Sequence, residues 1–86
     1  MLIPKIKYMN EIETKVRSFL GKYVSDPEVD GDLDLFSAGL VNSLYAMQLV
    51  LFIEQEYGIQ VTNEDLDYEN FKSVQAIVQF ITIKQK

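Results

Sequence analysis

Apolar residues recur at helical spacing in the first part of the chain. Five of them are separated by four, three, one and three positions, a pattern that predicts an amphipathic helix over about residues 10–24. They are Ile12, Val16, Phe19, Leu20 and Tyr23. Asn10 with Glu13 three residues later is a start signal, but Pro4 could open an earlier turn, so the first nine residues stay unassigned.

A long loop is predicted after this helix. Ser25-Asp26-Pro27 breaks the helical pattern, and the acidic stretch up to Asn42 contains two glycines and few residues that favour a helix. Five apolar side chains in this stretch can fold back onto the bundle: Val29, Leu33, Leu35, Phe36 and Leu40. We therefore predict an ordered loop.

The second helix has the strongest pattern in the chain. It is predicted from about Ser43 to Tyr57, with Gly58 as the C-terminal stop. The apolar residues between positions 44 and 53 outnumber what one buried stripe requires. Some must therefore lie at the surface or against a ligand, unless other helices cover both sides. They are Leu44, Ala46, Met47, Leu49, Val50, Leu51, Phe52 and Ile53.

Two further helices complete the pattern. After Ile59 and Val61, Thr62 and Asp65 form a capping pair that predicts a short acidic third helix of one or two turns. Ser73 is the predicted N-cap of the last helix. The apolar stripe and C-terminal lysines of that helix are Val74, Ile77, Val78 and Ile81, with Lys84 and Lys86. The prediction is an all-α fold, a small four-helix bundle with three main helices, a short third helix and a long loop between the first two helices.

Length and composition restrict the function. With 86 residues, the chain is predicted to form one domain over residues 1–86, with its core at about 10–83 and no room for a deep catalytic cavity. The absence of histidine and cysteine excludes Ser-His and Cys-His catalysis and zinc sites built from those residues. Residues 1–7 lack the apolar region of a signal peptide, and the longest apolar run, Leu49–Ile53, is too short to span a bilayer. We expect a cytoplasmic protein with no membrane partner.

Charge is distributed unevenly along the chain. No Lys or Arg lies between Tyr23 and Phe71, whereas eleven acidic residues do. This argues against nucleic-acid binding and favours partners with basic surfaces, although a merely solubilising surface fits the charge pattern equally well. The acidic run from Asp30 to Asp34 suggests a calcium loop, but Leu35 and Val41 stand where that loop needs Gly and Glu. No metal site is predicted.

Ser43 is the candidate chemical site. It stands where the acidic loop becomes the apolar second helix, and a phosphate attached there would face unpaired backbone N–H groups at the positive helix end. Most serines at such positions are only caps. Asn42 is itself a preferred N-cap and could leave the Ser43 hydroxyl free, while Leu40 and Leu44 could anchor the loop on either side.

The stretch Gly39-Leu40-Val41-Asn42-Ser43-Leu44 resembles the attachment site of acyl and peptidyl carrier proteins, where a glycine precedes Asp-Ser-Leu. Asn42 stands where that family usually has Asp. Similarity extends from Ile12 to Ile81 through Asp34-Leu35-Phe36, Leu49–Glu54 and Phe71–Val74. The resemblance implies a non-catalytic carrier with 4'-phosphopantetheine on Ser43, flanked by Asn42 and Leu44. A phosphopantetheinyl transferase would attach the group from coenzyme A with magnesium, and an acyl group would then be held as a thioester.

The resemblance also implies that partners dock on the second helix. Leu44, Met47 and Leu51 match apolar contact positions, Glu54 matches an acidic one, and Gln48 lies among them. The expected docking partners are the transferase, an acyltransferase or acyl-activating enzyme, and synthase modules, with the carrier itself a monomer.

Three residues depart from the pattern of fatty-acid carriers. Gln48 and Gln55 replace common glutamates, and Tyr45 stands at another frequently acidic position. The segment 42–50 is more similar to stand-alone carriers of polyketide or mixed polyketide–peptide pathways, in particular those that carry functionalised malonyl extender units. Two alternatives remain: a D-alanyl or aminoacyl carrier, and a non-carrier helical interaction module in which Ser43 only caps a helix.

Overall fold

A computed structural model describes the backbone of residues 3–85 and the side chains of residues 7–85. The described chain has four helices and no strands. They are α1 (Ile3–Leu20), α2 (Ser43–Tyr57), α3 (Tyr68–Phe71) and α4 (Val74–Lys84). The predicted all-α fold, with three main helices, a short third helix and a long loop after the first helix, is confirmed.

Helix α1 begins and ends earlier than the predicted range of 10–24. Pro4 lies in the first turn, where its missing N–H is not needed, so the helix runs through Asn10 instead of starting there. It ends at Leu20, and the chain tightens beyond it through a bond from the Lys22 N–H to the Phe19 carbonyl, at 3.0 Å. Tyr23 therefore lies beyond the helix and is 37% exposed.

Both ends of α2 are as predicted. Asn42 is the N-cap, with its side-chain oxygen accepting from the Tyr45 N–H at 3.2 Å. Gly58 adopts the left-handed conformation (φ 64°), and its N–H donates to the Glu54 carbonyl at 3.0 Å. Because other residues avoid that conformation, Gly58 sets where this helix stops.

The third helix does not lie where the sequence predicted it. Thr62 and Asp65 do form the expected reciprocal bonds, from the Thr62 N–H to Asp65 Oδ2 at 3.0 Å and from the Asp65 N–H to Thr62 Oγ1 at 3.3 Å. These bonds close only a turn. Helix α3 starts after Asp67, whose carboxylate accepts from the Glu69 N–H at 2.9 Å. The predicted capping pair is therefore present, but the helix begins after the next cap, Asp67.

Helix α4 confirms the predicted cap and stripe. Ser73 Oγ accepts from the Ala76 N–H at 3.1 Å, and the four stripe residues are buried, together with Phe80. Lys84 does not simply face the helix end: its Nζ lies 2.7 Å from Asp65 Oδ2, which ties α4 to the turn before α3. Lys86 lies outside the described residues.

The long loop is held by hydrogen bonds to the rest of the chain at several points. The Leu35 N–H donates to the Lys72 carbonyl and the Gln75 N–H to the Gly31 carbonyl, both at 2.8 Å. Arg17 Nη1 donates to the Pro27 and Val29 carbonyls, each at 2.7 Å.

Apolar packing adds to these bonds. Leu35 is fully buried, and Val29, Leu33 and Phe36 pack against the core, as predicted. Leu40 does not, because it is 39% exposed. No helix among residues 3–85 combines the length and apolar character that a membrane span needs.

Candidate functional site

Ser43 is the first residue of α2, and its side chain is exposed. Asn42 satisfies the helix start with its side chain, and its carbonyl accepts from the Ala46 N–H at 3.1 Å. Within residues 3–85 the Ser43 hydroxyl has no hydrogen-bond partner, so it is not the cap of this helix. The hydroxyl is available to an enzyme.

The chain turns sharply just before Ser43. Gly39 has φ 75°, a left-handed conformation, and its N–H donates to the Phe36 carbonyl at 3.0 Å. The Leu40 N–H donates to the Leu35 carbonyl at the same distance. Leu40 and Leu44 do not anchor this loop as predicted, because both side chains are exposed; the buried anchor is Leu35.

The electrostatic environment of Ser43 favours an anion. The first N–H groups of a helix, here those of Ser43 and Leu44, have no partner within the helix and point toward a ligand at its positive end. The first turn of α2 contains no acidic residue. An exposed hydroxyl and these N–H groups together fit a phosphate ester on Ser43.

The apolar residues of α2 divide between two faces. Tyr45, Leu49 and Ile53 are buried at intervals of four residues. Three others are exposed: Leu44 (60%), Met47 (66%) and Leu51 (48%). Gln48 and Gln55 are also exposed. Leu44, Met47 and Leu51 are therefore not covered by another helix, whereas Phe52 is half-buried and stacks on Phe19 of α1.

Unlike the exposed apolar residues of α2, Glu54 is hydrogen-bonded to another part of the chain. Its Oε2 accepts from the Val61 N–H at 3.0 Å, and the side chain is half-buried. This bond holds the segment after Gly58 against the end of α2. The sequence alone does not indicate this bond, because the Val61 N–H reaches Glu54 only after the chain turns back at Gly58.

Tyr45, which stands at a position that is frequently acidic in fatty-acid carriers, lies in the core. It is 1% exposed, and its ring packs against Phe19, Tyr23 and Phe36 with centroid distances of 5.7, 5.2 and 6.2 Å. Its hydroxyl has no partner in the described part of the chain. Burial, with a smaller contribution from Tyr23, raises the pKa of Tyr45 far above its usual value. The four-residue spacing from Leu49 could have revealed this burial.

Comparison with known proteins shows the family to which the chain belongs. The sequence pattern of a phosphopantetheine attachment site matches residues 10–81, most of the chain. The chain therefore belongs to the phosphopantetheine-attachment family of carrier proteins, in which 4'-phosphopantetheine is attached covalently to a serine. It is also similar to a D-alanyl carrier protein of Enterococcus faecalis (strain ATCC 700802 / V583), with 39% identity over 54 residues, which cover 63% of this chain and 69% of that protein.

Proposed function

We propose that Ser43 bears the 4'-phosphopantetheine and that the chain carries an acyl group between biosynthetic enzymes without catalysing a reaction itself. The observation that carries this proposal is the free, exposed Ser43 hydroxyl on a helix that Asn42 already caps. An attached phosphodiester would carry one negative charge. The N–H groups of Ser43 and Leu44 at the positive end of α2 would stabilise that charge.

The modification is a phosphoryl transfer performed by a phosphopantetheinyl transferase with magnesium. Ser43 Oγ bonds to the phosphorus beside the pantetheine of coenzyme A, the phosphorus–oxygen bond to the nucleotide breaks, and the enzyme takes the hydroxyl proton. Once bound, the group supplies a thiol that holds the acyl group as a thioester. The chain has no cysteine, so it offers no thiol of its own that could exchange with that thioester.

Ser43→Ala tests the attachment site. Each variant is incubated with coenzyme A, magnesium and a broad-specificity phosphopantetheinyl transferase, and its intact mass is measured. We expect the adduct on the wild type and on Ser25→Ala, an exposed loop serine that serves as control, and none on Ser43→Ala. Because Asn42 caps α2, the melting temperature of Ser43→Ala should change little. An adduct on Ser43→Ala, or none on the wild type, would reject the assignment.

For the cargo, we propose a functionalised malonyl extender unit of polyketide or mixed polyketide–peptide biosynthesis, with an acyltransferase or acyl-activating enzyme and synthase modules as partners. Its support is the departure of Gln48 and Gln55 from the acidic helix of fatty-acid carriers. The second candidate is D-alanine, and the similarity to a D-alanyl carrier protein favours it.

Loading assays on the modified protein separate these two cargoes. One reaction contains a D-alanine-activating enzyme with ATP and D-alanine; the other contains a malonyl-type acyltransferase and its acyl donor. The mass of the thioester identifies the cargo. Loading by the first enzyme alone would replace the extender-unit proposal with the D-alanyl function.

A further inference from the structure

The turn that precedes Ser43 is organised by the carboxylate of Asp34. Its Oδ1 accepts from the Phe36 N–H at 3.1 Å and from the Ser37 N–H at 3.0 Å. The carbonyl of Asp34 accepts from the Ala38 N–H at 3.0 Å. A side chain that accepts from the next N–H groups in this way fixes a turn. Asp34 therefore sets the path of the backbone where the segment that leads to Ser43 begins.

The second oxygen of this carboxylate connects the turn to α3. Asp34 Oδ2 accepts from the hydroxyl of Tyr68, the first residue of α3. The same hydroxyl lies 3.3 Å from Ser37 Oγ. Just beyond the other end of α3, the Lys72 carbonyl accepts from the Leu35 N–H at 2.8 Å. The turn is thus bonded to the chain at both ends of α3.

Aromatic rings continue this connection from α3 to the first turn of α2. The centroid of the Tyr68 ring lies 5.9 Å from that of Phe36, and the centroid of Phe36 lies 6.2 Å from that of Tyr45. Tyr45 is buried, and its N–H donates to the Asn42 side chain that caps α2. Phe36 therefore links α3 to the residues that hold the start of α2.

The start of α2 depends on such neighbours because few bonds of its own hold it. The N–H groups of a first helical turn have no partner within the helix, and helix ends open more readily than helix centres. Ser43 is exposed, and its hydroxyl makes no hydrogen bond in the described part of the chain. The position of Ser43 is therefore set by the Asn42 cap and by the turn that leads to it.

We propose that Asp34 is a positioning residue for the modification of Ser43 and that the Tyr68 hydroxyl holds Asp34 in place. Their hydrogen bond fixes the turn at residues 34–38 against α3. The fixed turn keeps Asn42 and Ser43 in the conformation that the transferase modifies. Asp34 and Tyr68 act indirectly, through the turn, and the reacting hydroxyl is that of Ser43. This inference rests on the proposed function, because it concerns the hydroxyl that the transferase modifies.

A positioning role predicts a loss in kcat and not in KM. A loose turn leaves the exposed side chains of α2 unchanged, so the transferase still binds, but Ser43 Oγ is less often in line with the phosphorus of coenzyme A. Displacing a reacting atom by about 1 Å can slow a reaction about 100-fold. The loss from a loose turn should be smaller, because Leu49 and Ile53 still anchor α2 in the core.

Kinetics of modification by one phosphopantetheinyl transferase test this inference. Asp34→Ala removes every bond of the side chain, and Tyr68→Phe removes the bond to α3. Asp34→Asn keeps an acceptor for the turn and can donate to the Tyr68 oxygen. The matched controls are Asp32→Ala and Tyr8→Phe, which remove an exposed carboxylate and an exposed phenol hydroxyl elsewhere. Circular dichroism confirms that every variant is folded at the assay temperature.

We expect kcat to fall about tenfold in Asp34→Ala and about threefold in Tyr68→Phe, with KM within about twofold of the wild type. Asp34→Asn should recover most of the loss, and both controls should match the wild type. An unchanged kcat, a change in KM alone, or equal losses in Asp34→Asn and Asp34→Ala would overturn the inference. A wild type that gains no adduct would instead reject the proposed function, so the two failures are distinguishable.

Hydrogen exchange of backbone amides gives a second measurement that needs no enzyme. The Tyr45 and Ala46 N–H groups donate to Asn42, so in Asp34→Ala they should exchange faster than in the wild type, by about tenfold more than the Ile53 N–H near the other end of α2. Equal acceleration at all three amides would show that Asp34 only stabilises the fold, and would overturn the inference.

Discussion

Tyr45 shows that a single atom can reduce stability in a well-packed core. Its ring is enclosed by aromatic neighbours, but its hydroxyl has no hydrogen-bond partner among residues 3–85. Taking a hydroxyl out of water without a new bond costs about 1–3 kcal/mol. The ring carbons are well packed, so the loss of stability comes from the unpaired hydroxyl oxygen.

Tyr45→Phe should therefore raise the free energy of unfolding by about 1 kcal/mol, because it removes the unpaired hydroxyl and keeps the ring. For a domain of this size that corresponds to an increase of about 5 °C in melting temperature. Thermal melts followed by circular dichroism measure it.

Tyr68→Phe is the matched control for that substitution. The Tyr68 hydroxyl donates to Asp34 and lies 3.3 Å from Ser37 Oγ, so its loss should lower the melting temperature. A decrease for Tyr45→Phe as large as that for Tyr68→Phe would show that the Tyr45 hydroxyl does have a partner.

At the scale of the elements, the sequence predicted a helix end correctly where a single strong capping residue stands alone. Asn42, Gly58 and Ser73 mark ends of α2 and α4, and the structure has those ends at the predicted places. Two start signals, Pro4 and Asn10, compete for α1, and two capping residues, Thr62 and Asp67, compete for α3. At both places the prediction failed. Local hydrogen bonds are necessary for a helix start but do not decide which of two candidates propagates.

In the candidate site, features that depend on neighbouring residues could be predicted, and features that depend on distant parts of the chain could not. The exposed Ser43 could be inferred because Asn42, its immediate neighbour, takes the cap. The internal bond of Glu54 could not, because it depends on how the chain folds back after Gly58 to bring the Val61 N–H to α2. The exposure of Leu40 likewise depends on the turn at Gly39 and on Leu35 filling the core instead.

Met47→Glu tests whether the exposed face of α2 serves docking. Met47 is 66% exposed, so we expect little loss of stability, within about 0.5 kcal/mol. Modification by the transferase, measured as kcat/KM, should fall about tenfold or more because the apolar contact is replaced by a charge. Gln79→Glu on α4 is the control of equal charge. Unchanged kinetics in folded Met47→Glu would remove Met47 from the docking surface.

The whole molecule is joined through long-range polar contacts between its helices and loops. Arg17 of α1 binds two carbonyls of the loop, and Lys84 of α4 pairs with Asp65 in the turn before α3. Hydrogen bonds from Lys84 and from the Thr62 backbone lower the pKa of Asp65 below its usual value of 3.8. A group whose pKa is lower in the folded state stabilises the fold above its unfolded pKa, and this contribution is lost as pH falls through the folded pKa.

Acid should therefore weaken the attachment of the turn to α4. In the wild type the melting temperature should fall as the pH decreases below 3.8, while Asp65→Asn should start lower at neutral pH and lose less on acidification. Glu64→Gln, an exposed neighbour, is the control. Parallel pH profiles for wild type and Asp65→Asn would show that Asp65 does not contribute to acid stability.

The Tyr57 hydroxyl, like that of Tyr45, is buried without a hydrogen-bond partner in the described part of the chain, so tyrosine absorbance can report unfolding. The chain has five tyrosines and no tryptophan, so tyrosine dominates its near-ultraviolet absorbance. Burial raises the pKa of Tyr57 to about 12 and that of Tyr45 further still, and unfolding returns both toward 10.0. At a pH near 11, the tyrosinate band of these two rings therefore grows when the helices separate. A spectrophotometer alone can then follow the folded fraction, without a dye or an introduced fluorophore.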